Sequence, residues 1–455
     1  MRKLWTLTIF VILASLDNAA LAMIPNMLLP ISEDLGVSEA ALGAITATVI
    51  LVTAVTAVGW GYWGDRSSRK RLLFWGTVVW VLGTAGSAGA PSYATLFLAQ
   101  IFTGIGLGSI ASVGFSVVSD FVAPHRRGLA MSFWGLSQGA GGLVGGLIAS
   151  QLGAGDWRRP MAAIAVAGAA FAVLYLTTTE PARGAAEPEL AGRAEELEET
   201  IEWDQLPTIA RRPTNIWLIA QGFTAQFAYG SLLWVPLLYQ AKVVAEGYDT
   251  STATKVGGIF AAIFQLAAIT SIAAGWLGDR WQRRNLSGRA LLSMIGILGA
   301  IPFFLLFFAV PLRGLEVTAG AGTGTLAAEV LASIVTNPWV AVAFLASIVA
   351  IVLTSADSPN WFALIADVNL PEHRGTVFGF GNLSNGLGRS IGNGLTGLAS
   401  ATLVGALVAP LNYVVSLAVF QVFFLPTGYC YWKASRSAPD DIADVRARLT
   451  ERANR

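Results

Sequence analysis

"GYWGDRSSRK" runs from Gly61 to Lys70 and "GWLGDRWQRR" from Gly275 to Arg284, each immediately after a long apolar run. The second copy lies 214 residues beyond the first, and the same shift carries Asp65 onto Asp279, Arg66 onto Arg280 and Arg69 onto Arg283. A period that long is not a solenoid repeat; it points to two similar halves. A second echo agrees. "SDFVAPHRRGLA" and "ADVNLPEHRGTV" set Asp120 against Asp367 at a shift of 247, and the excess falls mainly in "PLRGLEVTAGAGTGTLAAEVLASIVTN" between the ninth and tenth apolar runs. Within that insertion "LAAEVLASIV" has helical spacing, which suits a short helix at the outer interface or plain loop filler.

Of 455 residues, 54% are hydrophobic and only 13% charged. A soluble domain carries about a quarter charged residues, so this chain lacks the polar surface to face water all round. Low-charge stretches recur at 4–30, 39–63, 72–90, 94–118, 128–152 and 160–178, then at 215–240, 254–278, 290–311, 338–366, 375–403 and 406–432. Each is long enough to cross roughly 30 Å of hydrocarbon as a helix. Backbone groups in lipid must satisfy one another, so twelve helices is the economical reading. The fold class is therefore an all-α polytopic membrane protein, twelve spans in two pseudo-symmetric six-helix bundles. Residues 1–180 form the first half, 181–213 a charged cytoplasmic linker, 214–433 the second half and 434–455 a cytoplasmic tail that is surface-bound or mobile. Within the linker "AGRAEELEETIEW" reads as a solvated segment or a short helix.

The net charge is +1, yet its placement sets the topology. With both termini inside, cytoplasmic segments hold 23 of the 29 Lys and Arg, and the outer loops only Arg158, Arg159, Lys242, Lys255 and Arg313. Positive charge stays inside, so both decapeptides face the cytoplasm of a plasma-membrane protein. The first 22 residues resemble a signal peptide, but Asp17 interrupts the apolar run, and the stretch is read as an uncleaved first helix. One cysteine, Cys430, excludes a disulfide framework, and His125 and His373 lie in separate loops, so no metal site or cofactor is expected. No nucleophile–base pair lies within the spans, which argues against an enzyme. No nucleic-acid partner is expected; solute, protons and the bilayer are, around a monomer.

Glycines three apart let helices approach closely, and a carboxylate at a helix end meets nearby donors or a helix dipole. Basic residues after them also satisfy the positive-inside rule, so a pure topology signal is the bland alternative. Finding Gly-x-x-Gly-Asp-Arg-x-x-Arg twice at matching points is more specific. The pattern resembles the loop 2–3 signature of the major facilitator superfamily and its copy in loop 8–9. The resemblance covers the whole chain, including "GDWRR" before the sixth span and Asp-x-x-x-Pro-x-x-Arg after the fourth and tenth. It implies alternating access, one half rocking against the other. It also implies a cytoplasmic latch made by Gly61, Gly64, Asp65, Arg66, Arg69, Gly275, Gly278, Asp279, Arg280 and Arg283, with Asp120, Arg127, Asp367 and Arg374.

A narrower likeness is to the spinster branch, whose members move lysolipids and related amphiphiles. It rests on the first decapeptide, the opening of the third span, "TTTEPARGAAE" after the sixth, and Asp17 in the first. That branch carries an Arg and a Glu in span 4, where this chain reads "QIFTGIGLGS", with Gln100 and Leu107 in their places. "GAGGLVGGLIAS" (139–150) is similar to the superfamily's span 5 antiporter motif, with Gly146 where a proline is expected.

Three charges lie deep in spans: Asp17, Asp357 and Arg389. Each costs about 2.5–3.5 kcal/mol on insertion scales, so each is expected to face a cavity or a partner. Asp17 has no obvious counter-charge, and removal from water disfavours a carboxylate's charged form, making it the candidate proton-coupling residue. The bland alternative is a neutral Asp bonded to Asn18 or Gln100. Asp357 and Arg389 sit at similar expected depths in spans 10 and 11, which predicts an ion pair serving as brace, substrate clamp or gate. Pro359 is expected to bend span 10. Polar and aromatic candidates for the cavity wall are Asn18, Asn26, Gln100, Gln138, Gln226, Tyr229, Gln265, Asn360, Trp361 and Asn385, some of which would be helix–helix glue. The resulting expectation is a proton-coupled secondary transporter of a small organic or amphiphilic solute, lysolipid-like or drug-like. Uncoupled facilitation, or a transporter-like receptor that moves nothing, are the alternatives.

Overall fold

A computed structural model describes residues 2–114, 117, 127–179 and 211–453, and among them all regular structure is helical. The twelve expected spans are all present. The first six are α1 (Arg2–Asn26), α3 (Glu39–Arg66), α4 (Arg69–Ala88), α5 (Tyr93–Ser109), α6 (Arg127–Gly153) and α7 (Arg158–Tyr175), with α2 (Leu28–Leu35) a short outer helix. Span 7 is α8 (Pro213–Ser231) continued by α9 (Val235–Ala245); span 8 is α10 (Thr250–Leu266) continued by α11 (Ser271–Gln282). Span 9 is α12 (Gly288–Ala309), and α13 (Thr323–Thr336) contains "LAAEVLASIV", which takes the helical of its two readings. Span 10 divides into α14 (Pro338–Thr354) and α15 (Asp357–Val368), span 11 is α16 (Pro371–Leu403), and span 12 is α17 (Leu411–Phe420) with α18 (Phe424–Ala453).

Local chemistry fixes many of the ends. Ser38 and Ser68 accept from the backbone N–H three residues on, and Ser92 forms a reciprocal capping box with Thr95. Asn337 caps α14 just ahead of Pro338, where a missing N–H is harmless. Gly36 ends α2 at φ 63°, a conformation that favours glycine. Among the described residues eight spans are long and apolar enough to cross a membrane by composition alone, and side chains such as Val58, Val166, Ile272 and Leu345 remain largely exposed on them. In an aqueous protein such exposure would be a liability; on a membrane helix it is the lipid face.

Backbone proximity groups the described residues into two units. The first holds the chain up to 179 together with Val235–Ala262 and Val317–Ala328. At one end of it Ile9, Phe10 and Leu13 of α1 pack against Leu73, Ile110 and Tyr175. The second holds 211–234, Ile263–Glu316 and the described residues from Glu329 onward. The outer stretches α9 and most of α10 thus associate with the first half. Gln240 donates to the Asn26 carbonyl at 3.1 Å, and Gln151 donates to the Lys255 carbonyl at 2.9 Å while accepting from Thr323. At the same outer end Asp34 accepts from Trp157 and, at 2.7 Å, from Arg158, and these donors hold its carboxyl below the usual range.

Of the two readings of the tail, surface-bound or mobile, its described residues follow the first: they are helical and packed against the protein. α18 runs unbroken from span 12 to Ala453 and buries Ala434, Ala438, Ile442 and Val445. Arg212, at the start of span 7, bonds Asp444 and the Val368 carbonyl and lies 3.8 Å from Asp441, while the Thr214 N–H donates to Asp441. Two of the tail's charges, Asp441 and Asp444, thus pin it to the start of span 7. Most of the expected linker, with "AGRAEELEETIEW", lies outside the described residues.

Candidate functional site

The decapeptides repeat not only a sequence but a contact. Gly61 faces Ser112 and Gly64 faces Val113, both in the π-helical turn Ile110–Gly114 that follows α5. Gly275 faces Pro359 and Gly278 faces Asn360 in span 10. Ser112 to Pro359 and Val113 to Asn360 are again shifts of 247, the second echo found in the sequence. A side chain at Gly278 would collide with the Asn360 amide, so the small residue is needed for the approach. Each half therefore closes span 2 or 8 on span 4 or 10 through the same two glycines.

Beside the second copy, Arg289 at the start of α12 bonds Asp279 at 2.7 Å and also Asp367. Gln282 accepts from the Arg289 N–H and reaches Asp367 at 3.5 Å. Asp279 and Asp367, the two acidic latch candidates of this half, are thus joined by a residue that sequence reading missed. Its signal was a lone basic residue six positions after the decapeptide's first Arg-Arg. Arg280 lies over Trp276, with the guanidinium 5.6 Å from the ring centre. In the first copy Arg69 is buried, and Lys70 donates to the carbonyls of Leu176 and Thr178. Asp120 and the side chains of Asp65, Arg66, Arg127 and Arg374 lie outside the described residues.

Asp17 is 3% exposed in the middle of α1, and its Oδ1 meets no hydrogen-bond partner. The bland alternative fails on geometry. Asn18 spends its amide on the Ala14 carbonyl and Gln100 donates to Ser87 at 2.9 Å. α1 is held against α6 by glycines: a side chain at Gly141 would strike Ser15 and one at Gly145 would strike Ala19. Those contacts seat the α1 backbone on either side of Asp17, whose Oδ1 meets no donor.

Asp357 is equally buried but fully served. Gln221 donates to Oδ1 at 3.0 Å, Tyr431 also donates to Oδ1, and Tyr229 donates to Oδ2 at 3.1 Å. The chain breaks its helix at Ser355–Ala356, so Asp357 stands in the first turn of α15, where backbone N–H groups favour a carboxylate. Pro359 follows at once, which agrees with the expected bend in span 10. The expected Asp357–Arg389 ion pair is not formed. α16 begins at Pro371, not near 375, so Arg389 stands eighteen residues beyond its start, roughly 27 Å along the helix. Asp357 stands only eleven residues from the end of α15, roughly 16 Å, and its acceptor sites are already taken. Arg389 is left with a buried Nε that has no partner.

The other cavity candidates divide. Asn26 bonds the Ala22 carbonyl, Asn360 the Ala356 carbonyl and Trp361 the Leu218 carbonyl, all roles of helix packing. Gln226 and Asn385 sit where α8 meets α16, half-buried, and Gln265 is half-buried in α10. The Gln138 side chain is outside the described residues.

A sequence model of the Major Facilitator Superfamily matches residues 7–392. Protein spinster homolog 1 of Rattus norvegicus is 31% identical over 303 residues, covering 63% of this chain and 56% of that protein. The sphingosine-1-phosphate transporter SPNS2 of Xenopus tropicalis is 28% identical over 298 residues, with the same coverage. The match therefore spans just over half the length of these curated relatives. Among solved structures, a bacterial homolog of the human lysosomal transporter spinster, inward-facing and unoccupied, superposes with a TM-score of 0.78 at 20% identity, over 97% of this chain and 98% of that one. A D-xylose–proton symporter superposes at 0.69 with 15% identity, over 95% and 98%. The repeated glycine contacts, the twelve spans and these matches lead to one conclusion: the chain belongs to the major facilitator superfamily and is spinster-like.

Proposed function

We propose that this protein is a secondary transporter that works by alternating access and couples a small organic or amphiphilic solute to protons through Asp17. One observation carries the coupling: a carboxylate is locked in the middle of span 1 with an oxygen that no donor meets. Such a group can exchange a proton when water reaches it, because among the described residues no donor meets its Oδ1. Family membership supports transport, and the names of the spinster relatives support an amphiphilic solute. The two decapeptides then serve as cytoplasmic latches, of which Asp279–Arg289–Asp367 is the second. The protein would act as a plasma-membrane monomer with both termini in the cytoplasm.

The test is proton movement in proteoliposomes carrying an internal pH dye, with lysolipids, sugars and cationic drugs added outside in turn. A pH change with one class identifies both solute and coupling sense. Asp17→Asn is expected to abolish transport driven by a pH gradient while sparing solute exchange without one. Gradient-driven transport that survives in Asp17→Asn removes Asp17 as the coupling residue and leaves coupling to another group, whereas wild-type transport that ignores the pH gradient leaves facilitated diffusion. Binding without flux for every solute would favour the receptor reading.

A further inference from the structure

Span 12 carries a stripe whose chemistry changes along its length. Val422, Leu425, Tyr429, Trp432 and Arg436 recur at spacings of three, four, three and four, which puts them on one helix face. Val422, Leu425, Tyr429 and Arg436 are exposed and Trp432 is half-buried. The face thus passes from aliphatic to aromatic to basic. Val422 and Trp432 stand roughly 15 Å apart along the helix, half of a hydrocarbon core of about 30 Å. With Trp432 at the interface, where tryptophans gather, Arg436 falls one turn further out, in the headgroup layer.

At that level aromatic rings from two spans surround a cation. Trp217, near the start of α8, meets Tyr429 edge-on with ring centres 5.9 Å apart, and Tyr429 lies 5.7 Å from Trp432. The Lys433 ammonium stands 5.3 Å from the Trp432 ring centre, 5.6 Å from that of Tyr429 and 5.8 Å from that of Trp217. Arg436 stacks on the Trp432 ring with its guanidinium carbon 4.0 Å from the centre. Ring faces hold both cations in place without using up their N–H groups. Among the described residues neither side chain has an ion pair or a hydrogen bond. The acids of the same helix are engaged elsewhere: Arg212 and the Thr214 N–H take Asp441, and Arg212 and Arg448 take Asp444.

We propose that this face, where spans 7 and 12 meet, binds one phospholipid of the surrounding bilayer with a net anionic headgroup. The lipid phosphate takes the free N–H groups of Lys433 and Arg436, the glycerol region rests on the three rings, and an acyl chain follows Leu425 and Val422. Two adjacent cations without an acid favour a headgroup of net negative charge over a zwitterionic one, whose ammonium they repel. The lipid lies outside the bundle and is not the transported solute, so the site stands apart from the transport reading. It extends the lipid face of the spans and adds a headgroup preference at one place on it.

The experiment is position-specific photo-crosslinking of the purified full chain in nanodiscs. The nanodiscs hold equal amounts of phosphatidylglycerol and phosphatidylcholine with identical acyl chains. Leu425 is replaced by a benzophenone-bearing amino acid, and the lipid adducts are weighed by mass spectrometry. Phosphatidylglycerol adducts are expected to exceed phosphatidylcholine adducts by about tenfold, the scale of two basic side chains near a membrane surface. The same crosslinker at Leu345, an exposed position of α14, should return nearly the bulk ratio. The double variant Lys433→Gln with Arg436→Gln should bring position 425 to the bulk ratio. The charge-keeping pair Lys433→Arg with Arg436→Lys should hold most of the enrichment, which separates lost recognition from lost folding. Arg446→Gln, an exposed cation further along α18, should change nothing. Equal adducts of the two lipids at position 425 in wild type overturn the proposal. Enrichment that survives the double Gln variant, or that is as large at Leu345, overturns it too. Inorganic phosphate that erases the enrichment, when chloride at equal ionic strength does not, makes the site one for free phosphate and overturns the lipid assignment.

Discussion

Asp17 and Asp357 show how the same residue type in similar apolar sequence acquires opposite characters. Asp357 gains three donors because spans 7 and 12 bring Gln221, Tyr229 and Tyr431 to it, and because the helix restarts at its own position. Asp17 gains none, since the amides beside it turn to Ala14 and Ser87. The donors around Asp357 are worth the most when they meet a charge, about 1.5–3 kcal/mol for each bond. Tyr431→Phe, which removes one donor from a fully buried pair, should therefore destabilise the protein by about that much. Thermal or denaturant unfolding of the purified protein checks this, and an unchanged midpoint would mean Tyr431 contributes no more than packing. Tyr431 was legible in the sequence only as an aromatic in an apolar run; its partner lies 74 residues away and is chosen by packing.

At the scale of elements, glycine decides which helices touch. α8 against α16 and α1 against α6 are both contacts in which backbone meets backbone, because water offers no drive for helix pairing inside a bilayer and close packing must supply it. Gly392→Leu would push a side chain into Phe227 and part α8 from α16, so the fraction of folded, monodisperse protein on size exclusion should fall sharply. Gly379→Leu, at an open position of the same α16, should leave it unchanged and serves as the control. Equal yields from both variants would show that the α8–α16 contact is not tight in the membrane. The sequence displayed these glycines, but their partners depend on helix rotation, which a single chain's pattern leaves open. The end of α18 makes the same point in reverse: its charges look solvated until Arg212 is placed beside Asp441 and Asp444.

For the whole molecule, the outer ends of spans 7 and 8 associate with the first half through Gln240–Asn26, Gln151–Lys255 and the meeting of Gly258 with Ser150. Under alternating access those contacts must break once per cycle. Gly258→Leu would drive a side chain into Ser150 and hold that end open. In a Cys430→Ser background, Asn26→Cys should then label faster with a membrane-impermeant thiol reagent from outside, and solute flux should drop. Labelling that does not change would remove these contacts from the transport cycle.

The sequence by itself determined the number of spans, the doubled architecture and the orientation signal, because lipid excludes charge and unpaired backbone at every position independently. The 214 and 247 shifts were likewise visible in the chain, and the structure shows that the second also relates the residues the paired glycines touch. Only the tertiary structure decided which polar residues are paired. Arg289 joining Asp279 to Asp367, Asp357 choosing tyrosines over Arg389, and Arg389 left without an anion all follow from where helices begin and how they rotate. A few residues' error in one helix start, Pro371 against the expected 375, moves a side chain by several ångströms and changes its partner.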